Sequence, residues 1–153
     1  MTSRYIYDRH DELVAWAEER IPGQHFRDDA VAIGHERDGC IVGVVVYDTF
    51  TPGSCCIGLA SDGSKRWMTR EFAMRAMAYP FVQCGFRRIT AFVSERNEAS
   101  LRFTRGTGWT QEGVLREAGP DREDMICFGM LRRECKWLPM NLRIGGAPPR
   151  HGL

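Results

Sequence analysis

The chain reads as a mixed α/β domain in which a mostly antiparallel central sheet is flanked by helices, and three stretches point to it. Alternating residues at 30–35 and the run IVGVVVY within 40–49 are separated by Arg37-Asp38-Gly39, a hairpin signature. The stretch SCCIGLASDGSKRWMTREFAMRAMAYPF at 54–81 passes from an apolar strand pattern through a polar turn into a long amphipathic helix. Two further strand patterns, at 109–116 and 124–132, flank a polar connection. Strands joined by tight turns pair antiparallel, whereas a strand reached through a helix can run parallel to its predecessor. Both connections in one chain predict a mixed sheet.

Taken in order, Tyr5, Ile6 and Tyr7 form a short strand, and Asp8 or Asp11 then caps a helix through Leu13, Val14, Trp16 and Ala17 toward Arg20. Ile21-Pro22-Gly23 ends it, and the hairpin follows. Thr51-Pro52-Gly53 turns the chain into the strand at 54–60, and Asp62-Gly63-Ser64 opens the long helix, with Met68, Phe72, Ala76, Met77 and Tyr79 as its buried stripe. Pro80 bends or ends this helix, and Gly85 caps it. A strand at 86–94 buries Ile89, Ala91 and Val93, and Ser94 or Asn97 caps a shorter helix that stops at Gly106-Thr107-Gly108. The resulting order is β-α-β-β-β-α-β-α-β-β.

With 153 residues, 43% of them hydrophobic, the chain suits one domain with a real core, expected over 1–138. The Gly- and Pro-rich 139–153 reads as a flexible tail. No run of 18 apolar residues occurs and the first 20 residues lack a signal-peptide core, so a cytoplasmic protein without membrane contact is expected. The six cysteines show no C-x-x-C spacing and read as buried thiols, and the four histidines are scattered, so no metal is expected.

Charge is concentrated rather than general. Between positions 65 and 105 nine basic residues face three acidic ones, although the whole chain carries a formal net charge of +1. A focused patch of this kind suits a polyphosphate ligand, and the near-neutral total argues against a protein that coats nucleic acid. Backbone N–H groups at a strand-turn-helix junction bind anions, so the opening of the long helix, from Ser64 through Met68, is the candidate phosphate site. Lys65 and Arg66 add charge there.

Two segments carry a resemblance to a known family: the strand-turn-helix at 55–79, and NEASLRFTRGTGWTQEGVLRE at 97–117. They resemble the GCN5-related N-acetyltransferase (GNAT) superfamily. Asn97, Ser100, Leu101, Phe103, Gly108 and Trp109 stand where the family shows Asn, a small residue, apolar positions, Gly and an aromatic. Glu112-Gly113 with Leu115-Arg116, and MICFGMLRRE at 125–134, resemble the branch acting on protein N-termini or small amines. The wording is also similar to small acetyltransferases of phages or prophages.

The resemblance implies a GNAT-like sheet over residues 5–135 and transfer of an acetyl group from acetyl-CoA to the amine of a small molecule or a protein N-terminus. It implies cofactor contacts from Cys56, Ile57, Gly58, Gly63, Ser64, Lys65, Arg66, Trp67, Met68, Asn97, Ser100 and Phe103. Two positions depart from the family pattern. Gly63, Arg66 and Met68 align with the Arg/Gln, Gly and Gly/Ala of its pyrophosphate loop, and Thr104 replaces a frequent acid tyrosine. In the implied mechanism the amine attacks the thioester directly, and a main-chain N–H within 55–58 stabilises the oxyanion. Asp62 at the end of the central strand, Glu36 on the hairpin and His35 near the same rim are candidate bases, and Ser100 is the candidate donor near the sulfur. The Cys55-Cys56 pair reads as packing. Trp67 and Trp109 read first as core residues, with Trp67 also able to shield the cofactor. A non-catalytic CoA-binding or protein-interaction module, and a nucleic-acid binder or modifier, are the alternatives. A homodimer through the final strands is a further expectation.

Overall fold

The computed structural model describes residues 2–144. Its seven strands are β1 (Ser3–Ile6), β2 (Val31–Arg37), β3 (Cys40–Asp48), β4 (Ser54–Ser61), β5 (Arg88–Ser94), β6 (Thr110–Leu115) and β7 (Met125–Leu131). They form one sheet in the order β1-β2-β3-β4-β5-β7-β6, antiparallel throughout except for the parallel pair β4 and β5. The helices are α1 (His10–Glu18), α2 (Arg70–Ala78), α3 (Glu98–Gly106) and the short α4 (Met140–Ile144). The mixed sheet and the element order agree with the sequence.

Strand alternation sends the two halves of each strand pattern to opposite faces. Ile33, Val45, Tyr47 and Ile57 face α2, where Phe72, Ala76 and Met77 meet them, and Ile89, Val93, Leu101 and Phe128 continue the same core toward α3. Ala32, Val44, Val46 and Ala60 face the other way, against Leu13 and Ala17 of α1. Complete burial of each large side chain stabilises the fold by about 1.5–3 kcal/mol, so the α2 face, with Phe72, Phe81, Phe86 and Phe128 all buried, dominates. On the α1 side, Gly34 lets the helix approach closely: a Cβ there would lie 2.7 Å from Leu13 Cδ2.

Pro80 marks the change from α2 to a wider turn, Tyr79–Gln83, closed by Cys84 N donating to Tyr79 O at 2.9 Å. The missing Pro N–H removes an ordinary helical bond there and the wider spacing restores closure. Gly85 follows at φ +73°, the left-handed value that favours glycine after a helix.

Four expectations need correction. Neither Asp8 nor Asp11 caps α1; Arg9 holds the N-cap position without a side-chain bond. β5 begins at Arg88 rather than at Phe86, whose ring is buried in the core. The long helix does not open at Asp62-Gly63-Ser64: Thr69 is its N-cap, with Thr69 Oγ1 accepting from Phe72 N at 3.1 Å. Residues 140–144, assigned to a flexible tail, form α4, and Arg132 Nε donates to Leu142 O at 2.9 Å. The remainder of that expected tail, 145–153, lies outside the described residues. Among the described residues no helix is long and apolar enough to cross a membrane.

Candidate active site

The sheet opens in one place. β4 and β5 pair only through Ser54 with Arg88, Cys55 with Ile89 and Cys56 with Thr90. Beyond these positions β4 stays with β3 as far as Ser61, while β5 stays with β7 as far as Ser94. The two strands therefore diverge, leaving facing edges along 57–61 and 91–94, with α2 and α3 following from those strand ends. A break between parallel strands at their carboxyl ends is where open α/β sheets place ligands.

Antiparallel alternation identifies which peptide groups face the gap. Asp62 N donates to Val42 O at 2.9 Å, so the hydrogen-bonded pairs of β3 and β4 are Val42 with Asp62, Val44 with Ala60, Val46 with Gly58 and Asp48 with Cys56. The N–H groups of Cys56 and Gly58 thus point to β3, away from the gap. Ile57 adjoins the last parallel pair. Leu59, one step beyond, carries the first N–H directed into the opening, a donor that sequence reasoning missed because it depends on register.

The 62–69 loop is organised by its own side chains. Asp62 Oδ1 accepts from Ser64 N at 2.9 Å and from Ser64 Oγ at 2.7 Å, Gly63 N donates to Ser61 Oγ, and Arg66 N donates to Ser64 Oγ. Gly63 sits at φ +89° with open space where a Cβ would be, so the backbone angle is what requires glycine. Lys65 and Arg66 project to solvent, and Arg37 Nη1 donates to Arg66 O at 3.0 Å. Lys65 through Met68 precede α2 rather than open it, so their amides lie outside the helix start. The sequence signal for the true start is Thr69 followed by Glu71 in the first turn.

The three candidate bases separate. His35 is fully buried, with Nδ1 at 2.7 Å from Trp67 O and Nε2 at 3.2 Å from Ser3 Oγ. Its ring stacks on Tyr5 at 5.1 Å. Both nitrogens are engaged, so it does not stand at the rim where the sequence put it. Glu36 and Asp62 do lie at one end of the sheet, on either side of Ile41 and Val42. Glu36 lies 3.7 Å from Arg4. The Ser64 hydroxyl, with the Ser64 amide adding to it, holds the exposed Asp62 carboxyl below its ordinary value, which makes it a weaker base.

Across the gap, Asn97 caps α3 through Oδ1, which accepts from Ser100 N at 3.1 Å. This fixes Ser100 in the first turn of α3, the helix that follows β5. Thr104 is buried and donates to Ser100 O at 2.7 Å, so its hydroxyl is committed to the helix. The Trp67 and Phe103 rings meet at 5.5 Å between the loop and α3. Behind them a cavity of about 20 Å³ remains, with Leu59, Met68 and Phe103 in its wall. Ile57, Gly58 and Cys56 lie along the divergence, and Phe26 covers Gly58 from the α1 side. Trp109, 7% exposed, packs in the core as read. Burial pushes the Cys55 thiol far above its ordinary value and raises Cys56 less. Among the described residues no three metal-binding side chains converge.

No protein-family model and no curated protein sequence matches this chain. Solved structures do. A variant of spermidine N-acetyltransferase SpeG from Vibrio cholerae superposes with a TM-score of 0.70 at 13% identity, covering 94% of this chain and 96% of that one. A second variant of the same enzyme gives 0.69 at 15% identity, with coverages of 84% and 93%. A probable acetyltransferase gives 0.60 at 18% identity, with coverages of 70% and 64%. The chain has the GNAT fold. On that fold, the strand-turn-helix that the resemblance assigns to the pyrophosphate is β4, the 62–69 loop and α2, and the second matched segment is α3 with β6.

Proposed function

We propose that the protein is an acetyl-CoA-dependent N-acetyltransferase that moves an acetyl group to a primary amine of a small molecule or a protein N-terminus. The divergence of β4 and β5 beyond Cys56 and Thr90 carries this reading. An unpaired strand edge accepts an extended amide-bearing chain as it would accept another strand. The pantetheine arm of CoA carries amides of its own, so the donor set along 57–61 fits it. Lys65 and Arg66 supply charge for the phosphates, and Asn97, Ser100 and Phe103 form the opposite wall.

When bound, acetyl-CoA supplies an activated thioester. The Leu59 N–H, aimed into the gap, stabilises charge developing on a carbonyl oxygen there. Glu36 is the base in this reading, because the Ser64 hydroxyl holds Asp62 below its ordinary value and so weakens it as a proton acceptor. The Ser100 hydroxyl is the remaining donor for the departing thiolate, which needs little help with an ordinary thiol pKa of about 8.5. With the thioester held there, Glu36 would take the proton of the attacking amine and Ser100 would give one to the thiolate released as the C–S bond is replaced by the new C–N bond.

A second copy joining at edge strand β6 belongs to the same reading, since Val114 and Leu115 are 49% and 41% exposed there. A non-catalytic CoA-binding module is the second reading. It is favoured by the commitment of the Thr104 hydroxyl and of the Gly63, Ser64 and Arg66 amides within the protein. Calorimetry with acetyl-CoA and CoA tests both: absence of saturable binding rejects them together. Release of free CoA with any member of an amine panel eliminates the non-catalytic one.

A further inference from the structure

At the far end of the sheet from the divergence lies a concave basin of about 840 Å³ whose wall includes Arg87, Arg88, Arg132, Arg133 and Arg143 and no Asp or Glu. Antiparallel pairing builds it. Arg88 at the start of β5 lies opposite Leu131 at the end of β7, so two arginine doublets distant in sequence meet side by side. Arg132 N donates to Arg87 O at 2.9 Å, which ties the doublets together. α4 then delivers Arg143.

The partners of these guanidiniums differ in charge. Arg88 is neutralised by Glu112 at 2.7 Å. Arg143 Nε donates to Leu138 O at 2.7 Å and Nη2 to Lys136 O at 3.2 Å, contacts that hold the head group without cancelling its charge. Among the described residues neither Arg87 nor Arg133 forms an ion pair, and both are exposed. Thr51 and Ser54 add hydroxyls at the same wall, 2.9 Å from each other. Like charges gathered on a concave wall repel one another and focus a positive potential on its interior. Planar guanidinium forks match phosphate oxygens in pairs.

We propose that this basin is a second ligand site, separate from the β4–β5 gap, that binds a chain of adjacent phosphate groups through Arg87, Arg133 and Arg143. Such a chain comes either from a compact polyphosphate or from a nucleic-acid backbone. The site does not depend on acetyl transfer.

The test titrates tripolyphosphate, and separately a short oligothymidylate, into the full-length protein at two salt concentrations. Both are repeated with Arg87→Ala/Arg133→Ala and with Lys65→Ala/Arg66→Ala. Circular dichroism confirms that each variant folds. The expected result is saturable binding that weakens with salt, falls about tenfold or more in the first variant and is unchanged in the second. Binding of tripolyphosphate alone identifies a compact ligand. Tighter binding of the oligothymidylate, lost in the same variant, identifies the backbone of a nucleic acid. No saturable binding of either probe, or binding that follows Lys65 and Arg66 instead, overturns the proposal. Loss of acetyl-CoA binding with tripolyphosphate binding intact would reject the transferase reading and leave this site standing.

Discussion

The Trp67 ring occupies the space that a side chain on Gly43 would need: a Cβ there would lie 2.6 Å from Trp67 Cε3. A glycine in the middle of β3 thus seats the aromatic side chain of the loop that follows β4, and this seat holds the loop beside Phe103. Gly43→Ala is expected to unseat Trp67. Overpacking of this kind costs about 1–3 kcal/mol, so denaturant midpoints fall and tryptophan emission shifts to the red. An unchanged spectrum and midpoint would show that the ring is not held there.

His35 bridges the same loop to β1, with Trp67 O on one nitrogen and Ser3 Oγ on the other. Its role is positional. His35→Ala removes two part-buried hydrogen bonds, each worth about 0.5–1.5 kcal/mol, a loss measurable by chemical denaturation. Under the proposed transfer, the pH profile of kcat keeps its shape in a variant that still folds. Disappearance of one limb of that profile would return His35 to the chemistry.

Glu36 and Asp62 are distinguished by paired variants. Glu36→Gln is expected to lower kcat by about 10²-fold at neutral pH, with recovery as the amine deprotonates at higher pH. Asp62→Asn changes kcat little. The reverse pattern would assign the base to Asp62.

Asp62 also makes a pH prediction with a definite sign. Because the Ser64 hydroxyl lowers its carboxyl below the ordinary value, the interaction favours the folded state above the unfolded-state pKa and fades as pH falls through the lower folded value. Ser64→Ala should raise the Asp62 value toward the ordinary carboxyl range. A carboxyl NMR titration reads this directly, and an unmoved midpoint would refute the stated cause.

Thiol reactivity separates the cysteines. Cys40 is exposed, whereas Cys55, Cys84 and Cys135 are buried, with burial the leading cause of their raised pKa values. A colorimetric thiol reagent at pH 8 is expected to label Cys40 promptly and those three only on unfolding. Rapid labelling of Cys55 would contradict its placement in the core.

Thr69→Ala removes the side-chain acceptor for Phe72 N at the start of α2. Loss of such a cap costs about 1 kcal/mol, seen as a lower thermal midpoint with the fold retained.

The amino-acid order alone determined the succession of strands and helices, the choice of Ser94 or Asn97 as the cap of α3, the turn at Pro80 and the glycine at position 85, because each rests on neighbours within a few residues. It placed Glu36 and Asp62 at one end of the sheet for the same reason, through the hairpin and the strand after it. Tertiary structure decided the rest. The opening between β4 and β5 exists because each strand stays with a different neighbour, and the direction of the Leu59 N–H follows from register rather than from residue type. His35 looks like any strand histidine until Trp67 and Ser3 close over it, and the start of α2 moved to Thr69 because the preceding loop is held by Gly43 and by its own serines. The arginine doublets at 87–88 and 132–133 are ordinary pairs in sequence; antiparallel pairing of β5 with β7 makes them one wall. Contacts between distant segments depend on which strands pair, and local patterns do not encode that choice.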